Sequence, residues 1–284
     1  DVSLIGPVIY VVRKSSLLGP LNVPIRVAAF RNLANVNNRL VTTPRGVHND
    51  EFAPPNGYVI AAVQTYRDLA LYRIQNADTN FPTLDDPDAV VVPPFARPQT
   101  FAVLGTTNEM DGGDERLLQG MVALNRLTGE RTLWTSHCLQ TNNAGVSSTG
   151  GDRVSTRWYQ ISLEAPSLLQ QAGTLFDTAT GPNFRNYSFG TVAQNGQGDL
   201  AMGSSFGGRA DRMGVAVAGR QFTDTLGATQ APAFPVTSTK DYNVIGVADE
   251  RWGDYSATRV DPLDDQTFWT FQEYTAATDA WGVR

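Results

Sequence analysis

The sequence predicts an all-β fold, a β-propeller of about five or six four-stranded blades that forms a single domain over residues 1–284. Three observations predict it: short β-type runs separated by Gly, Pro, Asn or Asp, a near absence of helix signals, and a loose unit of about 45 to 50 residues that recurs. A hydrophobic content of 41% over 284 residues is enough for a sizeable core.

The predicted strands are short and rich in β-branched and aromatic residues. Tyr58–Gln64 and Leu69–Ile74 are joined by a short polar bend, which predicts a hairpin. Asn195–Asp199 is the clearest turn, because Asn and Gly tolerate the positive φ of tight hairpins. In chain order the strands are Val8–Val12, Pro24–Phe30, Tyr58–Gln64, Leu69–Ile74, Thr100–Leu104, Met121–Leu124, Thr132–Leu139, Arg157–Leu163, Gly173–Phe176, Ser188–Gln194, Asp199–Ser204, Met213–Ala218, Tyr242–Ala248, Ser256–Val260, Thr267–Tyr274 and Ala280–Val283.

Ala165–Ala172 is the best helix candidate in the chain. It is short and has Pro166 near its start, a position that helices tolerate. Leu168 and Leu169 could equally precede a strand.

Internal repetition favours a propeller over a sandwich or a barrel. Asn56–Ala62 resembles Gly198–Ser204, and Thr132–Thr135 resembles Gln266–Thr270. The first blade is expected to be incomplete, with its missing strand supplied by residues before Asp1, by the C-terminal strand Ala280–Val283, or by a partner chain.

The formal net charge is −6, and the basic residues form no stripe along the sequence, which argues against nucleic acid as a partner. No run of 18 apolar residues is present, so no transmembrane segment is expected. Because Asp1 is not a start methionine, we expect a processed chain, and we expect an extracytoplasmic protein that is secreted, periplasmic or on the cell surface.

Cys138 is the single cysteine, so no internal disulfide is possible. It lies in the apolar run Leu133–Leu139, where a buried, unreactive thiol is expected. His137 and Cys138 are adjacent in a strand, so their side chains should point to opposite faces, which argues against a Cys–His dyad.

The last part of the chain holds the best candidates for ligand binding. Trp and Tyr faces stack on sugar rings, while Arg, Asp and Glu bond hydroxyls and carboxylates. The same residue types also wedge between blades and lock turns, so a structural role stays open beside the binding role. The candidates are Arg251, Trp252, Asp254, Tyr255, Trp269, Glu273 and Tyr274.

The order of motifs in this region resembles that of bacterial secreted β-propeller proteins whose final blade reads R-W-G-D-Y-S, D-P, F-W, Q-E-Y and W-G. Here these motifs are Arg251–Ser256, Asp261-Pro262, Phe268-Trp269, Gln272–Tyr274 and Trp281-Gly282. Such proteins are often labelled sialidase-like. The resemblance implies a propeller fold and an exported location, and it implies little about activity.

Two further functions compete with simple binding. A sialidase-type hydrolase needs arginines for the substrate carboxylate, a Tyr nucleophile supported by Glu, and an Asp acid, but the expected S-x-D-x-G-x-T-W turn is absent. A calcium-dependent lectin would use the acidic loop of Asp261, Asp264 and Asp265, although this loop lacks EF-hand spacing and such residues also form ordinary turns.

We therefore expect a non-catalytic binding or scaffold propeller in a cell-envelope or extracellular assembly. Its partner would be a protein or a glycan at the cell surface, and exposed strand edges would suit a larger complex. No catalytic residue is assigned, and no cofactor is expected apart from a possible structural calcium.

Overall fold

A computed structural model describes residues 6–19, 24–50, 54, 56–164, 166–244 and 249–284, and over these residues the chain is all-β. The one helix in these ranges is the single turn α1 (Lys14–Leu17). The strands are β1 (Ile9–Val12), β2 (Val27–Phe30), β3 (Val41–Gly46), β4 (Asn56–Val63), β5 (Asp68–Gln75), β6 (Thr83–Leu84), β7 (Asp88–Val91), β8 (Glu109–Met110), β9 (Gln119–Leu124), β10 (Arg131–Thr141), β11 (Arg153–Ser162), β12 (Leu169–Leu175), β13 (Arg185–Gln194), β14 (Leu200–Gly208), β15 (Asp211–Arg220), β16 (Ala233–Val236), β17 (Asp249–Glu250), β18 (Ala257–Val260), β19 (Phe268–Phe271), β20 (Glu273–Ala277) and β21 (Ala280–Val283).

Two four-stranded antiparallel sheets dominate the middle of the chain. β9 to β12 form one and β13 to β16 form the other, and in both the spatial order of the strands follows the chain. A five-stranded antiparallel sheet of β3 to β7 precedes them. Two-stranded pairs β1–β2, β18–β19 and β20–β21 flank this arrangement, and β8 pairs in parallel with β17.

Most predicted strands are confirmed, including the hairpin of β4 and β5 and the C-terminal strand β21. Thr100–Leu104 is not a strand. Only Phe101 forms an isolated bridge there, to Met110, and the segment follows Pro98, which lacks a donor for a sheet. Tyr242–Ala248 is not a strand at residues 242–244, and its other four residues lie outside the described ranges.

The helix candidate Ala165–Ala172 is not a helix over the described residues, where β12 begins at Leu169, in agreement with the alternative that Leu168 and Leu169 precede a strand. Alternate residues of this strand, Gln171, Gly173 and Leu175, are buried against β11. Pairing with a neighbouring strand therefore overrides a weak local helix signal. The predicted strand Thr267–Tyr274 is also split in two, at the buried Gln272, whose backbone pairs with Arg284.

Successive sheets pack face to face through apolar side chains. Leu71 and Val90 of the five-stranded sheet share one core cluster with Leu133 and Ile161 of the next sheet. In the following layer Trp134 and Trp158 lie with ring centroids 5.7 Å apart and pack against residues of β13 to β15. Burying apolar area of this kind is the main stabilising contribution to the fold.

Gly173 makes the packing of Trp158 possible. A Cβ at position 173 would lie 2.3 Å from the Trp158 ring and 2.5 Å from the Gly227 carbonyl oxygen. Only a residue without a side chain fits between the indole and the loop that follows β15.

A buried amide joins three strands that belong to different sheets. Gln119 at the start of β9 donates through Nε2 to the carbonyl oxygens of Val192 (3.2 Å) and Thr258 (3.0 Å). Its Oε1 accepts a hydrogen bond from the Thr258 N–H at 3.2 Å. The Thr258 hydroxyl adds hydrogen bonds to Thr191, so one network of buried hydrogen bonds joins β9, β13 and β18.

His137 and Cys138 are both buried and lie on opposite sides of β10, as predicted from strand alternation. His137 Nδ1 donates to the Glu115 carbonyl oxygen at 3.0 Å, and Nε2 lies 2.8 Å from the Tyr159 hydroxyl. Cys138 Sγ accepts from the Phe189 N–H, and burial raises the pKa of its thiol to about 12, so the expected unreactive thiol agrees with its surroundings.

Replacing Gln119 by Leu should lower the free energy of unfolding by about 3 kcal/mol, because the buried groups of Val192 and Thr258 lose their partners. Chemical denaturation measures the change. The exposed Gln64→Leu variant is the matched control and should stay within about 0.5 kcal/mol of the parent. Equal effects of the two substitutions would contradict the joining role of Gln119.

The stability of the fold should also fall as the pH drops from 7 to 5. Burial lowers the pKa of His137 to about 3, whereas an unfolded histidine has a pKa of about 6.5. Below pH 6.5 the unfolded chain binds a proton at His137 that the folded chain does not bind. The contribution of His137 to the free energy of unfolding is therefore complete above pH 6.5 and decreases as the pH falls. The expected loss between pH 7 and pH 5 is about 2 kcal/mol.

Denaturation across this pH range measures the loss. His48→Asn, at an exposed histidine, should keep the slope, whereas His137→Asn should flatten it. A parent protein whose stability is constant over this range would refute the assignment to His137.

Candidate functional site

The predicted cluster of aromatic and charged residues is divided between two places. In the first, Arg251 is largely exposed and pairs with Asp254 (3.2 Å) and, more loosely, with Asp111 (3.7 Å). Trp252 is buried, donates through Nε1 to the Ser205 hydroxyl at 3.1 Å and packs edge-on against Tyr242. Arg251 and Trp252 therefore lock the loop that follows β17.

Glu273 belongs to the same place, because its carboxylate lies against Gly253. A Cβ on Gly253 would fall within the volume that this carboxylate occupies. Burial raises the pKa of Glu273, while a hydrogen bond from the Gly253 N–H opposes that rise and the Asp254 charge adds to it. Tyr274, next to Glu273 in β20, points to the opposite face of the strand, and Tyr255 is 77% exposed.

Trp269 lies in the second place, on the hairpin of β18 and β19. Its Nε1 donates to the Asp261 carboxylate at 3.0 Å, and the residue is 53% exposed. Trp269 is directly opposite Arg259 in the antiparallel register, and Phe271 is opposite Ala257. Residues paired in this way share one face of the hairpin, so Arg259, Trp269 and Phe271 form a mixed basic and aromatic surface.

The acidic loop proposed for calcium is held by other contacts. Asp261 accepts from the Leu263 N–H and from Trp269, Asp264 accepts from Gln266 and Thr267, and Asp265 pairs with Arg126 at 2.5 Å. The described part of the chain contains no group of three or more His, Cys, Asp or Glu side chains placed to hold a metal ion. Calcium at this loop stays a prediction, and the ion would have to displace these bonds.

A polar cleft of about 470 Å³ lies beside the surface of Arg259, Trp269 and Phe271. We call it the arginine cleft, and its lining consists of Arg45, Gly46, Val47, His48, Leu118, Gln119, Gly120, Ser256, Ala257 and Arg259. The cleft therefore combines the end of β3, the start of β9 and the start of β18.

Backbone pairing sets the positions of the residues in the cleft. After β3 the chain runs parallel to β9, where the His48 N–H donates to the Gly120 carbonyl oxygen at 2.8 Å and the Val122 N–H donates to the His48 carbonyl oxygen at 2.8 Å. Arg45 Nε donates to the Leu117 carbonyl oxygen at 3.0 Å, which holds its side chain at the cleft. Gln119 fixes β18, and with it Arg259, from the other side.

Arg259 is the least satisfied charged group of the cleft. Its Nη1 atom is buried and has no hydrogen-bond partner among the described residues. Burial lowers the pKa of Arg259, and the nearby Asp50 carboxylate raises it, yet Asp50 is bonded to His48 at 2.6 Å. A guanidinium retains its charge in such surroundings, so the cleft carries two cations, one of which has a donor without a hydrogen-bond partner.

Comparisons with protein-family models, with curated proteins and with solved structures give no match to this chain. No helix over the described residues has both the length and the apolar character needed to cross a membrane.

Sequence reasoning found Trp269 but missed Arg45, Gln119, Arg259 and Phe271. For Arg259 and Phe271 the sequence contains a usable signal. The predicted strands Ser256–Val260 and Thr267–Tyr274 follow each other closely, and strand alternation places Arg259 on one face with every second residue of its strand. Nothing in the sequence links Arg45 to this hairpin, because the contact depends on the packing of distant sheets.

Proposed function

We propose that this protein is a non-catalytic, extracytoplasmic binding propeller that recognises a carboxylated sugar of the cell envelope or extracellular matrix in the arginine cleft. The observation that carries the proposal is the buried, unpartnered Nη1 of Arg259 in a cleft that also contains Arg45. Guanidinium groups suit carboxylates because their planar donors can bond both oxygens.

The charge of the cleft supports an anionic ligand. The chain has a formal net charge of −6, yet the residues lining the cleft include two arginines and neither Asp nor Glu. A local positive potential in an acidic protein selects anions over other solutes.

The aromatic side chains next to Arg259 support a sugar in particular. Trp269 and Phe271 are both about half exposed on the face shared with Arg259. A sugar ring whose carboxylate met the arginines could lay its apolar face on these rings, in the way that aromatic side chains combine apolar area with directional contacts.

A binding role is favoured over hydrolysis by what the cleft contains. The residues lining it include no Tyr and no carboxylic acid, whereas a sialidase-type reaction needs a Tyr nucleophile, a supporting Glu and an acid. The predicted Tyr274 and Glu273 are consecutive in β20 and so point to opposite faces of the strand.

The propeller itself is part of the proposal. Its support is the succession of antiparallel sheets that pack face to face in chain order, and the meeting of β9, β13 and β18 at Gln119, as expected of innermost strands near an axis. The extracytoplasmic location is supported by the motifs shared with secreted bacterial propellers.

Replacing Arg259 by Gln should weaken binding of D-glucuronate or N-acetylneuraminate at least about tenfold, because a charge-assisted hydrogen bond is lost. Isothermal titration calorimetry with the full chain measures the dissociation constant. Arg45→Gln should act in the same direction, and added salt should weaken the parent's binding.

Arg39→Gln is the matched control, since Arg39 is exposed and lies outside the cleft. It should leave the dissociation constant unchanged. If neither acid binds the parent, or if both cleft variants bind as the parent does, the proposed function is wrong.

A further inference from the structure

We infer that the chain has a second binding site, an amide-lined pocket that takes a single neutral sugar ring. The pocket has a volume of about 260 Å³ and lies between the sheet of β9 to β12 and the sheet of β13 to β16. Half of its ten lining residues carry amide side chains, and the others are Glu130, Gly198, Arg220, Phe222 and Leu226.

The amide pocket is separate from the arginine cleft. Gln119, in the cleft, is the first residue of β9, and Asn125, in the pocket, directly follows the last. Six residues of extended strand place these positions about 20 Å apart. One small ligand therefore cannot occupy both sites.

Three nearly buried polar side chains of the pocket keep unused hydrogen-bonding groups. Asn125, Gln194 and Arg220 are 7%, 4% and 3% exposed. Arg220 Nε is buried without a partner, although Nη2 donates to the Asp224 carbonyl oxygen at 2.7 Å. Buried polar groups are normally bonded, so the unpartnered Arg220 Nε indicates a polar ligand or water that completes it, beside the free amide groups of Asn125 and Gln194.

The unused groups of Asn125 and Gln194 are also specific. Asn125 Oδ1 accepts from the backbone N–H groups of Leu127 and Thr128, while no bond is made by its Nδ2 among the described residues. The Gln194 amide makes a single long bond, from Nε2 to the Asn195 carbonyl oxygen at 3.4 Å. Together they offer one donor-only group and one group that both donates and accepts, a combination that suits adjacent hydroxyls.

The other amides of the pocket are held by hydrogen bonds, and its exposed residues are apolar. Gln171 donates to Gln160 at 2.5 Å and accepts from the Gly227 N–H at 2.9 Å, so these amides are held in place. Phe222 and Leu226 are 42% and 69% exposed and supply apolar contact area. Polar groups that converge beneath an aromatic ring match the two faces of a sugar.

The charge of the amide pocket selects a neutral ligand. Burial lowers the pKa of Arg220, and the charges of Asp224 and Asp199 act to raise it, so two carboxylates already balance this cation. Glu130, which accepts from Gln170, adds another negative charge to the lining. An acid would be repelled here, in contrast to the arginine cleft. The volume is slightly below the usual range for drug-sized ligands, which fits one ring.

Phe222→Ala should weaken binding of D-galactose, D-mannose or N-acetyl-D-glucosamine, whichever the parent binds, by about fivefold to tenfold through loss of ring contact. Gln194→Met, which keeps the side-chain length and loses only the amide, should weaken binding of the same sugar to a similar degree. Isothermal titration calorimetry on the full chain measures both, and denaturation verifies that each variant is folded.

Phe81→Ala is the matched control, because Phe81 is an exposed phenylalanine outside the pocket, and it should bind the sugar as the parent does. Binding of D-glucuronate should be unchanged in Phe222→Ala, which separates this site from the arginine cleft. If none of the three sugars binds the parent, or if Phe222→Ala binds the sugar as the parent does, the inference is wrong. This result would be independent of whether the arginine cleft binds a carboxylated sugar.

Discussion

The amide of Gln119 is the contact on which the arrangement of the sheets depends. The strands of each sheet bond to one another, and the apolar packing between neighbouring sheets is less directional than a hydrogen bond. Gln119 supplies directional contacts, because its amide bonds require Val192 on β13 and Thr258 on β18 to lie at fixed positions beside β9. An amide suits this task, since one side chain supplies two donors and one acceptor without a buried charge.

Gln119 also connects the stability of the sheet arrangement to the arginine cleft. Gln119 lines the arginine cleft, and the strand that it holds carries Arg259. A guanidinium nitrogen that lacks a hydrogen-bond partner, such as Nη1 of Arg259, is costly to bury, and it persists only where the surrounding structure is firmly held. The bonds of Gln119 on one side and the bond from Arg45 to Leu117 on the other supply that support.

The sequence predicted the all-β class and most strands because both are local properties. The alternation of side chains along the strands and the turn-forming residues between them predict hairpins such as β4–β5 and the turn at Asn195. It failed where tertiary contacts decide the outcome: β12 forms because β11 is beside it, and Thr100–Leu104 stays irregular although Phe101 and Val103 are buried. Of the candidate site, only Trp269 was predicted from the sequence. Arg251, Trp252 and Glu273 share the residue types of a binding site, yet their contacts lock a loop, and composition alone cannot separate these roles.

The separation of 139 residues between Gln119 and Thr258 has a consequence for the order of folding. The antiparallel sheets of β9 to β12 and β13 to β16 are made of neighbouring segments and need only short loops to close. The bond between β9 and β18 closes a loop that contains both sheets, so it gains from their prior folding. During synthesis the arginine cleft cannot form until β18 has left the ribosome, so it is assembled after the sheets of β9 to β12 and β13 to β16.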